Sequence, residues 1–210
     1  MRIIAISDIH GQLPVEPCDP CDLLIIAGDI CPDVGHVTGQ AKWLDTTFRA
    51  WLKLQPANKI IGTWGNHDFV GQSPNTPTDL PWTLAVNELV EVDGLKIYLT
   101  PWVPNLPRWA FSFPNDVPQE RWPYHLPSVD IFVPHGPPLG YSDYLAGWHH
   151  VGSETQRGWC LERKPPVVVC GHIHEGRGEY PTVWGGKLYN VASLDGKYEP
   201  YPQRFTTVCL

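Results

Sequence analysis

The sequence contains no apolar run that approaches the roughly 20 residues needed for a membrane-spanning helix. Basic residues are also few, with 15 Lys and Arg against 22 Asp and Glu and a net charge of −7. Clusters of Lys and Arg normally bind long nucleic acids, so we expect neither these nor membranes as partners. A small phosphoester substrate stays compatible with the charge, because divalent cations would add positive charge locally.

Internal repeats, like-charge tracts and linker-like segments are absent from the 210 residues. A chain of this length can bury a full core, and we expect one domain over residues 1–210. Nothing before the first predicted strand could serve as a signal peptide, so the expected location is cytoplasmic. The 23 prolines and 19 glycines fall between periodic segments, which predicts long, stiffened loops.

Six cysteines in a cytoplasmic protein are expected to be reduced thiols rather than a disulfide framework. Cys18 and Cys21 form a CxxC, which could be half of a zinc site. A second CxxC is missing, and Cys31 alone does not complete a set of four ligands. A proline-bent loop is therefore the favoured interpretation, with structural zinc as the alternative.

Short apolar, β-branched runs alternate with helical patterns along the first half of the chain. Strands are predicted at 2–7, 22–27, 59–64, 89–92, 95–100, 129–133 and 167–170, with antiparallel strands near 179–184, 187–191 and 204–210. Asp93-Gly94 predicts a hairpin. Helices are predicted over 38–54, within 78–87, and from a Ser153 cap to about Arg163. The order of elements indicates an α/β sandwich with sheets inside and helices outside.

Five of these buried strands end in polar residues that can bind metals. The endings are Asp8-x-His10, Gly28-Asp29, Gly65-Asn66-His67-Asp68, His135 and Gly171-His172-x-His174. Sites in open α/β sheets collect beyond the carboxyl ends of the strands. His172 and His174 would leave the same face of an extended chain, which alone fits a metal site and a surface His-x-His equally well. The recurrence of the pattern at the four other strand ends favours the metal site.

In this order, the endings resemble the motifs DxH, GD, GNH[DE], H and GHxH of the calcineurin-like metallophosphoesterase superfamily. The match spans residues 8–174. PHGPP around His135, GHIHEG ending at Gly176 and the PW…RWAFSF run at 101–113 are similar to a narrower branch. That branch is the small, single-domain class III phosphodiesterase-like group, which includes the mammalian metallophosphoesterase-domain proteins. The resemblance implies a four-layer α/β/β/α sandwich with two mixed sheets and a dinuclear metal site at the strand ends.

The resemblance also implies how the site is built. Asp8, His10 and His174 would hold one divalent ion, Asn66, His135 and His172 the other, and Asp29 would bridge both. Carboxylate, amide and imidazole ligands without thiolate favour Mn²⁺, with Fe or Zn²⁺ as alternatives. His67 is the predicted general acid. Asp68 is predicted to orient His67, and a simple loop cap is the alternative for Asp68.

The implied reaction is phosphoester hydrolysis by a metal-bound hydroxide, formed because the metals lower the pKa of a bound water. The second motif lacks the arginine of GDxxDRG, so a protein phosphatase is a less favoured hypothesis. A phosphodiesterase for small substrates, with cyclic nucleotides among the candidates, is the leading hypothesis. A phosphomonoesterase, a nuclease, or a nucleotide-binding module with little turnover are the alternatives. The oligomeric state stays open.

Several other residues are weaker candidates. Arg108 and Arg177 could clamp a phosphate or be ordinary surface arginines, and Asn190 could support the metal ligands. Four tryptophans could pack in the core or loops or stack on a base: Trp64, Trp102, Trp109 and Trp148. Four histidines are expected to be solvated or structural: His36, His125, His149 and His150.

Overall fold

The computed structural model describes residues 1–33, 36–126, 128–145 and 149–210, so Trp148 lies outside the described residues. The strands are β1 (Ile3–Ile6), β2 (Cys21–Ala27), β3 (Ala57–Thr63), β4 (Thr83–Leu84), β5 (Glu88–Val92), β6 (Leu95–Thr100), β7 (Ile131–Pro134), β8 (Val167–Cys170), β9 (Gly178–Pro181), β10 (Lys187–Asn190) and β11 (Thr206–Val208). The helices are α1 (His36–Trp43), α2 (Arg49–Leu54) and α3 (Glu154–Arg163), and a π-helical segment, Leu44–Phe48, joins α1 to α2.

The strands form two mixed sheets. The first sheet has the order β11-β1-β2-β3-β4, and the second has the order β5-β6-β7-β8-β10-β9. Parallel pairing runs from β1 to β4 and from β6 through β7 and β8 to β10, while β11, β5 and β9 pair antiparallel at the edges. The parallel strands of each sheet therefore end at a common edge.

Side chains alternate along the central strands, so both faces of each sheet are buried. One set, which includes Ile3 and Leu23, packs between the sheets with residues such as Ile131 and Val167. The alternate set on the first sheet packs outward: Ile4, Leu24 and Ile26 join Leu44, Phe48, Trp51 and Leu52 of the helical segment. This helical face confirms the amphipathic helix predicted over 38–54.

Helix α3 covers the outer face of the second sheet. Its Trp159 lies with its ring centroid 4.5 Å from that of Phe132 in β7. Ser153 caps the helix as predicted, because its Oγ accepts a hydrogen bond from the amide of Gln156 at 3.1 Å. The predicted four-layer α/β/β/α sandwich is thereby confirmed.

The helix predicted within 78–87 is wrong. Thr83 and Leu84 instead form β4, which extends the first sheet beside β3. Pro81 explains the difference, since it lacks an amide hydrogen and disfavours helical geometry at the residue before it. The ring of Trp82 packs instead against Phe48 and Trp64.

The last strands tie the two sheets together at the edge where the strands end. The prediction of antiparallel strands is correct for β9 on β10 and for β11 on β1, but β10 pairs parallel with β8. Beyond β1, the amide of Ser7 donates to the carbonyl of Val191 at 3.1 Å, and the amide of Ser193 donates to the carbonyl of Ser7 at 2.9 Å. These bonds place the polar endings of both sheets next to one another.

The CxxC segment lies outside this edge. Cys18, Cys21 and Cys31 are buried free thiols. Among the described residues, none of the side-chain groups with metal-ligand geometry contains a cysteine. The structure therefore favours the loop interpretation over structural zinc. In the same described ranges, we find no helix with the length and apolar content needed to cross a membrane.

Candidate metal centre

The seven predicted ligands meet at the edge shared by the two sheets. The first sheet supplies the four that follow β1, β2 and β3, namely Asp8, His10, Asp29 and Asn66. The second sheet supplies the three that follow β7 and β8, namely His135, His172 and His174. Their side chains form two neighbouring clusters.

The first cluster contains Asp8, His10 and His174, whose potential ligand atoms all lie within 4.8 Å of one another. Nε2 of His10 is 3.3 Å from Nε2 of His174, which in turn is 3.5 Å from Oδ1 of Asp8. The Nδ1 of His174 donates to the backbone carbonyl of Asp195 at 2.9 Å, so its Nε2 lone pair faces the cluster. A neutral imidazole oriented in this way can bind a metal ion without rearrangement.

The second cluster contains Asp29, His135 and His172, again within 4.8 Å. Nε2 of His135 lies 3.2 Å from Oδ2 of Asp29 and 3.2 Å from Oδ1 of Asn66. The other ring nitrogen of His135 donates to the carbonyl of Ala27 at 2.8 Å. Asn66 thus lies next to His135 at this cluster, and its role as a metal ligand stays a prediction.

Asp29 lies between the clusters. Its Oδ2 is 3.2 Å from Nε2 of His135 and 3.8 Å from Nε2 of His10. Its Oδ1 accepts a hydrogen bond from the amide of His67 at 2.8 Å, which fixes the orientation of the carboxylate. The carboxylate of Asp29 therefore lies within reach of both clusters, and its role as a bridge between two ions stays a prediction.

Unusual backbone geometry accompanies these ligands. Asp8, His10, Asp29 and His172 have positive φ angles of 52°, 46°, 51° and 68°. Such conformations are uncommon for residues with a side chain and persist only where the surroundings enforce them. Here they occur just after β1, β2 and β8, where the chain leaves the strand and its polar side chains enter the site.

The motif glycines are required by close packing against the ligands. A Cβ on Gly171 would overlap the carboxylate of Asp8, and a Cβ on Gly65 would overlap the carboxylate of Asp29. The missing side chains let the buried carboxylates lie directly against the backbone of the neighbouring strand ending.

The buried carboxylates of the site are ionised. Burial alone would raise the pKa of Asp8, but its hydrogen bond with His174 and the charge of that ring lower the pKa to about 2. The pKa of Asp29 is likewise well below its ordinary value, because His135 outweighs the effect of burial. The described residues that line this cavity include no lysine or arginine.

The histidines balance this negative charge in the metal-free protein. Burial would lower the pKa of His135 and of His174, but Asp29 and Asp8 respectively raise both values to about 9. His172 behaves in the opposite way, since burial and the neighbouring His135 lower its pKa to about 3. Divalent cations would replace the protons on His135 and His174, so the donor set fits metal ions.

His67 lies beside the clusters without belonging to the predicted ligand set. Its Nδ1 is 2.6 Å from Oδ1 of Asp33, and its ring is 4.5 Å from that of His10. Burial would lower the pKa of His67, but the contact with Asp33 raises it above the ordinary value. A raised pKa lets the imidazole carry a proton near neutral pH, as a general acid must.

The predicted role of Asp68 in orienting His67 is corrected by the structure. The buried carboxylate of Asp68 accepts hydrogen bonds from three backbone amides, those of Ile30, Cys31 and Gly65, at 2.8 to 2.9 Å. Burial and the charge of Asp29 raise the pKa of Asp68 to about 6. Asp68 therefore connects the loops that carry Asp29 and Asn66, in agreement with the alternative role as a loop cap. The carboxylate that contacts the ring of His67 is that of Asp33.

A cavity of about 370 Å³ opens over the two clusters, and we call it the metal-side cavity. Its floor contains the predicted ligands Asp29, Asn66, His172 and His174, and its walls include His67, Trp109, Glu175 and Tyr198. The volume lies within the range of small-molecule sites.

A family model described as calcineurin-like phosphoesterase matches residues 1–176 of the chain. The chain belongs to this family. The match ends just beyond His174 and includes all seven predicted ligands. Family membership supports hydrolysis of phosphoesters, and members of this family normally bind a dinuclear divalent metal site. The predicted resemblance is confirmed.

Two relatives and one solved structure illustrate the similarity. Metallophosphoesterase domain-containing protein 1 of Homo sapiens is 28% identical over 212 residues, covering 84% of this chain and 61% of the human protein. The UPF0046 protein T07D4.2 of Caenorhabditis elegans is 33% identical, covering 85% of this chain and 52% of that protein. The chain therefore spans only about half to three fifths of the length of these relatives.

The crystal structure of TT1561 of Thermus thermophilus superposes with a TM-score of 0.59 at 15% identity. The superposition covers 91% of this chain and 88% of that one. At this level of identity the similarity shows the fold alone, which agrees with the two-sheet sandwich described above.

Some of the weaker candidates contribute to this phosphoesterase site. The side-chain amide of Asn190 donates to the carbonyl of Ile173 at 2.8 Å and to Oγ of Ser142 at 2.7 Å. It thereby braces the turn that carries His172 and His174, in agreement with the predicted supporting role. Trp109 lines the metal-side cavity, whereas Trp64 is buried in the core.

Other candidates lie elsewhere. The guanidinium of Arg177 donates to the carbonyls of Ala192 and Gln203, so it holds the chain terminus rather than a phosphate. Trp102 is covered by the guanidinium of Arg121 at 4.7 Å. Arg108 and His125 are exposed, and His150 pairs with Asp143 at 2.7 Å.

Sequence reasoning missed two residues of the site, Asp33 and Tyr198. Asp33 follows Asp29 by four positions, and only its loop conformation brings it to His67. Tyr198 lies in the tail, where its ring approaches those of His10 and His174 at 4.9 and 5.0 Å. Its φ of 63° is the one available signal of a special position, and the sequence does not reveal it.

Proposed function

We propose that this calcineurin-like phosphoesterase hydrolyses small phosphodiesters at a dinuclear metal site. Asp8, His10 and His174 would hold one divalent ion, Asn66, His135 and His172 the other, and Asp29 both. The observation that supports the proposal most is the convergence of these donors on two neighbouring clusters, with Asp29, Asn66, His172 and His174 lining one cavity. Without thiolate, the set favours Mn²⁺, with Fe or Zn²⁺ as alternatives.

Divalent ions bound there would lower the pKa of a water nucleophile and neutralise charge on the phosphoryl oxygens. The protein residues supply the rest. His67 donates a proton to the leaving oxygen, a step typically worth about 10²–10⁴-fold in rate. Asp33 holds Nδ1 of His67 at 2.6 Å, so Nε2 is the atom that delivers the proton.

The diester preference rests on charge and space. A phosphodiester carries one negative charge, and a monoester carries close to two at neutral pH. The described lining of the metal-side cavity has no lysine or arginine, so no permanently charged cationic side chain lies there for the second charge. Its volume of about 370 Å³ suits a nucleotide-sized substrate, and cyclic nucleotides are candidates.

The test starts from protein that has been stripped with a chelator and reloaded separately with Mn²⁺, Fe²⁺, Zn²⁺ and Mg²⁺. Hydrolysis of bis(p-nitrophenyl) phosphate is compared with that of p-nitrophenyl phosphate, followed by cyclic nucleotides. We expect faster turnover of the diester, greatest with Mn²⁺. Faster turnover of the monoester would reject the diester preference. Nucleotide binding without hydrolysis of any substrate would favour a binding module instead.

His67→Ala tests the acid. This variant should keep its metal content and lose about 10²–10⁴-fold in kcat, because the leaving oxygen would depart without a proton. Metal content is measured by elemental analysis on the same samples. His125→Ala, which changes an exposed loop histidine, is the matched control and should behave as the parent. Full activity of His67→Ala would remove His67 from this role.

A further inference from the structure

Trp109 is an exposed tryptophan placed against the proposed general acid. Its ring centroid lies 4.3 Å from that of His67, and 39% of the residue is exposed. The two residues that follow it, Ala110 and Phe111, are buried, and the amide of Ala110 donates to the carbonyl of Asn66 at 3.1 Å. The loop is therefore anchored without the indole, which is free to serve a ligand.

Phe69 extends this apolar surface. Its ring lies 5.8 Å from that of Trp109, and 38% of the residue is exposed. We call this pair the aromatic shelf. Two large aromatic side chains that stay exposed in contact with each other, beside a cavity, are typical of a ligand-binding surface.

The shelf lies where two cavities meet. Trp109 lines the metal-side cavity, and both shelf residues line a second cavity of about 510 Å³, which we call the outer cavity. The other lining residues of the outer cavity are Asp33, His36, Val37 and Gln40. His67 contacts both Asp33 and Trp109, so the pair of His67 and Asp33 stands at the border between the cavities.

This position fixes which part of a substrate would reach the shelf. If His67 protonates the leaving oxygen, the organic group on that oxygen must begin at His67. The aromatic shelf and the outer cavity are the described surfaces directly beyond it. A flat ring that stacks on the indole of Trp109 gains binding energy without needing a charged partner. This matters here because the described residues that line the two cavities include no lysine or arginine.

We infer that the aromatic shelf binds the leaving group, and that the favoured substrates are phosphodiesters whose leaving alcohol carries a flat aromatic ring, such as a nucleoside or an aryl group. This inference rests on the proposed function. Trp109 is the main contact and Phe69 the extension. Tyr198 does not belong to the shelf, because its ring contacts are with His10 and His174.

Methyl esters of phosphonates test the inference, because their CH₂ group replaces the leaving oxygen and cannot be hydrolysed, and because they carry one negative charge like a phosphodiester. Binding of methyl benzylphosphonate, methyl ethylphosphonate and methyl methylphosphonate to Mn²⁺-loaded protein is measured by calorimetry. We expect the parent to bind the benzyl compound about five- to tenfold more tightly than the ethyl compound. Trp109→Ala should abolish this preference and leave the affinity for methyl methylphosphonate unchanged, while Trp109→Phe should restore most of it.

Tyr144→Ala is the matched control, since it removes an exposed aromatic ring that lines neither cavity. It should keep the benzyl preference. The inference is overturned if Trp109→Ala keeps the preference, or if Tyr144→Ala abolishes it. Failure of methyl methylphosphonate to bind the parent with any metal would instead reject the proposed function, and the inference would fall with it.

Discussion

The metal-side cavity has a buried floor and an exposed mouth, and the two are built differently. The floor consists of ligands that directly follow strands, mostly inaccessible and fixed by hydrogen bonds to backbone. The mouth consists of loop residues such as Asp33, Trp109 and Tyr198, each more than a third exposed. We therefore expect changes in the floor to remove the metal site, and changes in the mouth to alter rate or selectivity with the metals retained.

Asp29→Ala should have the largest effect. The variant loses the carboxylate that lies between the clusters, so we expect fewer than two bound ions per chain and loss of almost all phosphodiesterase activity. Elemental analysis and turnover of bis(p-nitrophenyl) phosphate measure both. Unchanged metal stoichiometry would remove Asp29 from the bridge and weaken the distinction between floor and mouth.

Asp33→Asn should act on rate alone. Asparagine keeps the size of the side chain but removes the charge that raises the pKa of His67. We expect kcat to fall about 10- to 100-fold with metal content unchanged. The imidazole would also lose its proton at lower pH, so the alkaline limb of the pH profile should move to lower pH. An unshifted profile would show that Asp33 does not tune His67.

Asp68→Ala should act on stability. It leaves the amides of Ile30, Cys31 and Gly65 without their buried acceptor, which should cost about 1–3 kcal/mol in the free energy of unfolding. Urea denaturation of the chelated protein measures the change. Asp33→Ala is the control, expected to change stability by about 0.5 kcal/mol or less. Equal effects of the two variants would contradict the separate roles of these aspartates.

The metal-free protein should also show a pH dependence of its stability. Because the pKa values of His135 and His174 are raised to about 9, the folded state holds these protons more tightly than the unfolded chain. Their contribution to stability is complete below the ordinary value of 6.5 and is lost as the pH rises through 9. His172, with its pKa lowered to about 3, removes stability as the pH falls below 6.5.

Unfolding of the chelated protein by urea should therefore show greatest stability near pH 6.5 and a decline toward pH 9. Over the same pH range, the free energy of unfolding of metal-loaded protein should increase relative to that of the chelated form, since metal ions compete with protons for the histidines. If the free energy of unfolding of the chelated protein instead rises between pH 6.5 and 9, the charge balance described for the floor is contradicted.

The floor could be predicted from the sequence because each ligand follows a recognisable buried strand. Parallel strands that end at one edge bring such residues together regardless of loop conformation. The contact of His67 was not predictable in the same way. Asp68 is its neighbour in sequence, but the carboxylate is drawn to backbone amides, and the path of the loop after Asp29 brings Asp33 instead.

The same limit applies to the rest of the mouth. Residues 101–113 carry no helical or strand period, so the sequence alone could not distinguish Trp109 at the cavity from Trp102 beneath Arg121. The helix predicted within 78–87 failed because pairing of Thr83 and Leu84 with β3 prevailed over a short local pattern interrupted by Pro81.

The backbone bonds between Ser7 and the chain around Val191 and Ser193 join two layers that also meet through buried apolar side chains and the hydrogen bond of His135 with Ala27. Divalent cations held by ligands from both layers would add further links between them, and chelation would remove these links. Metal occupancy should then be detectable in the strands themselves, as slower hydrogen exchange in β1 and β8 at equal pH.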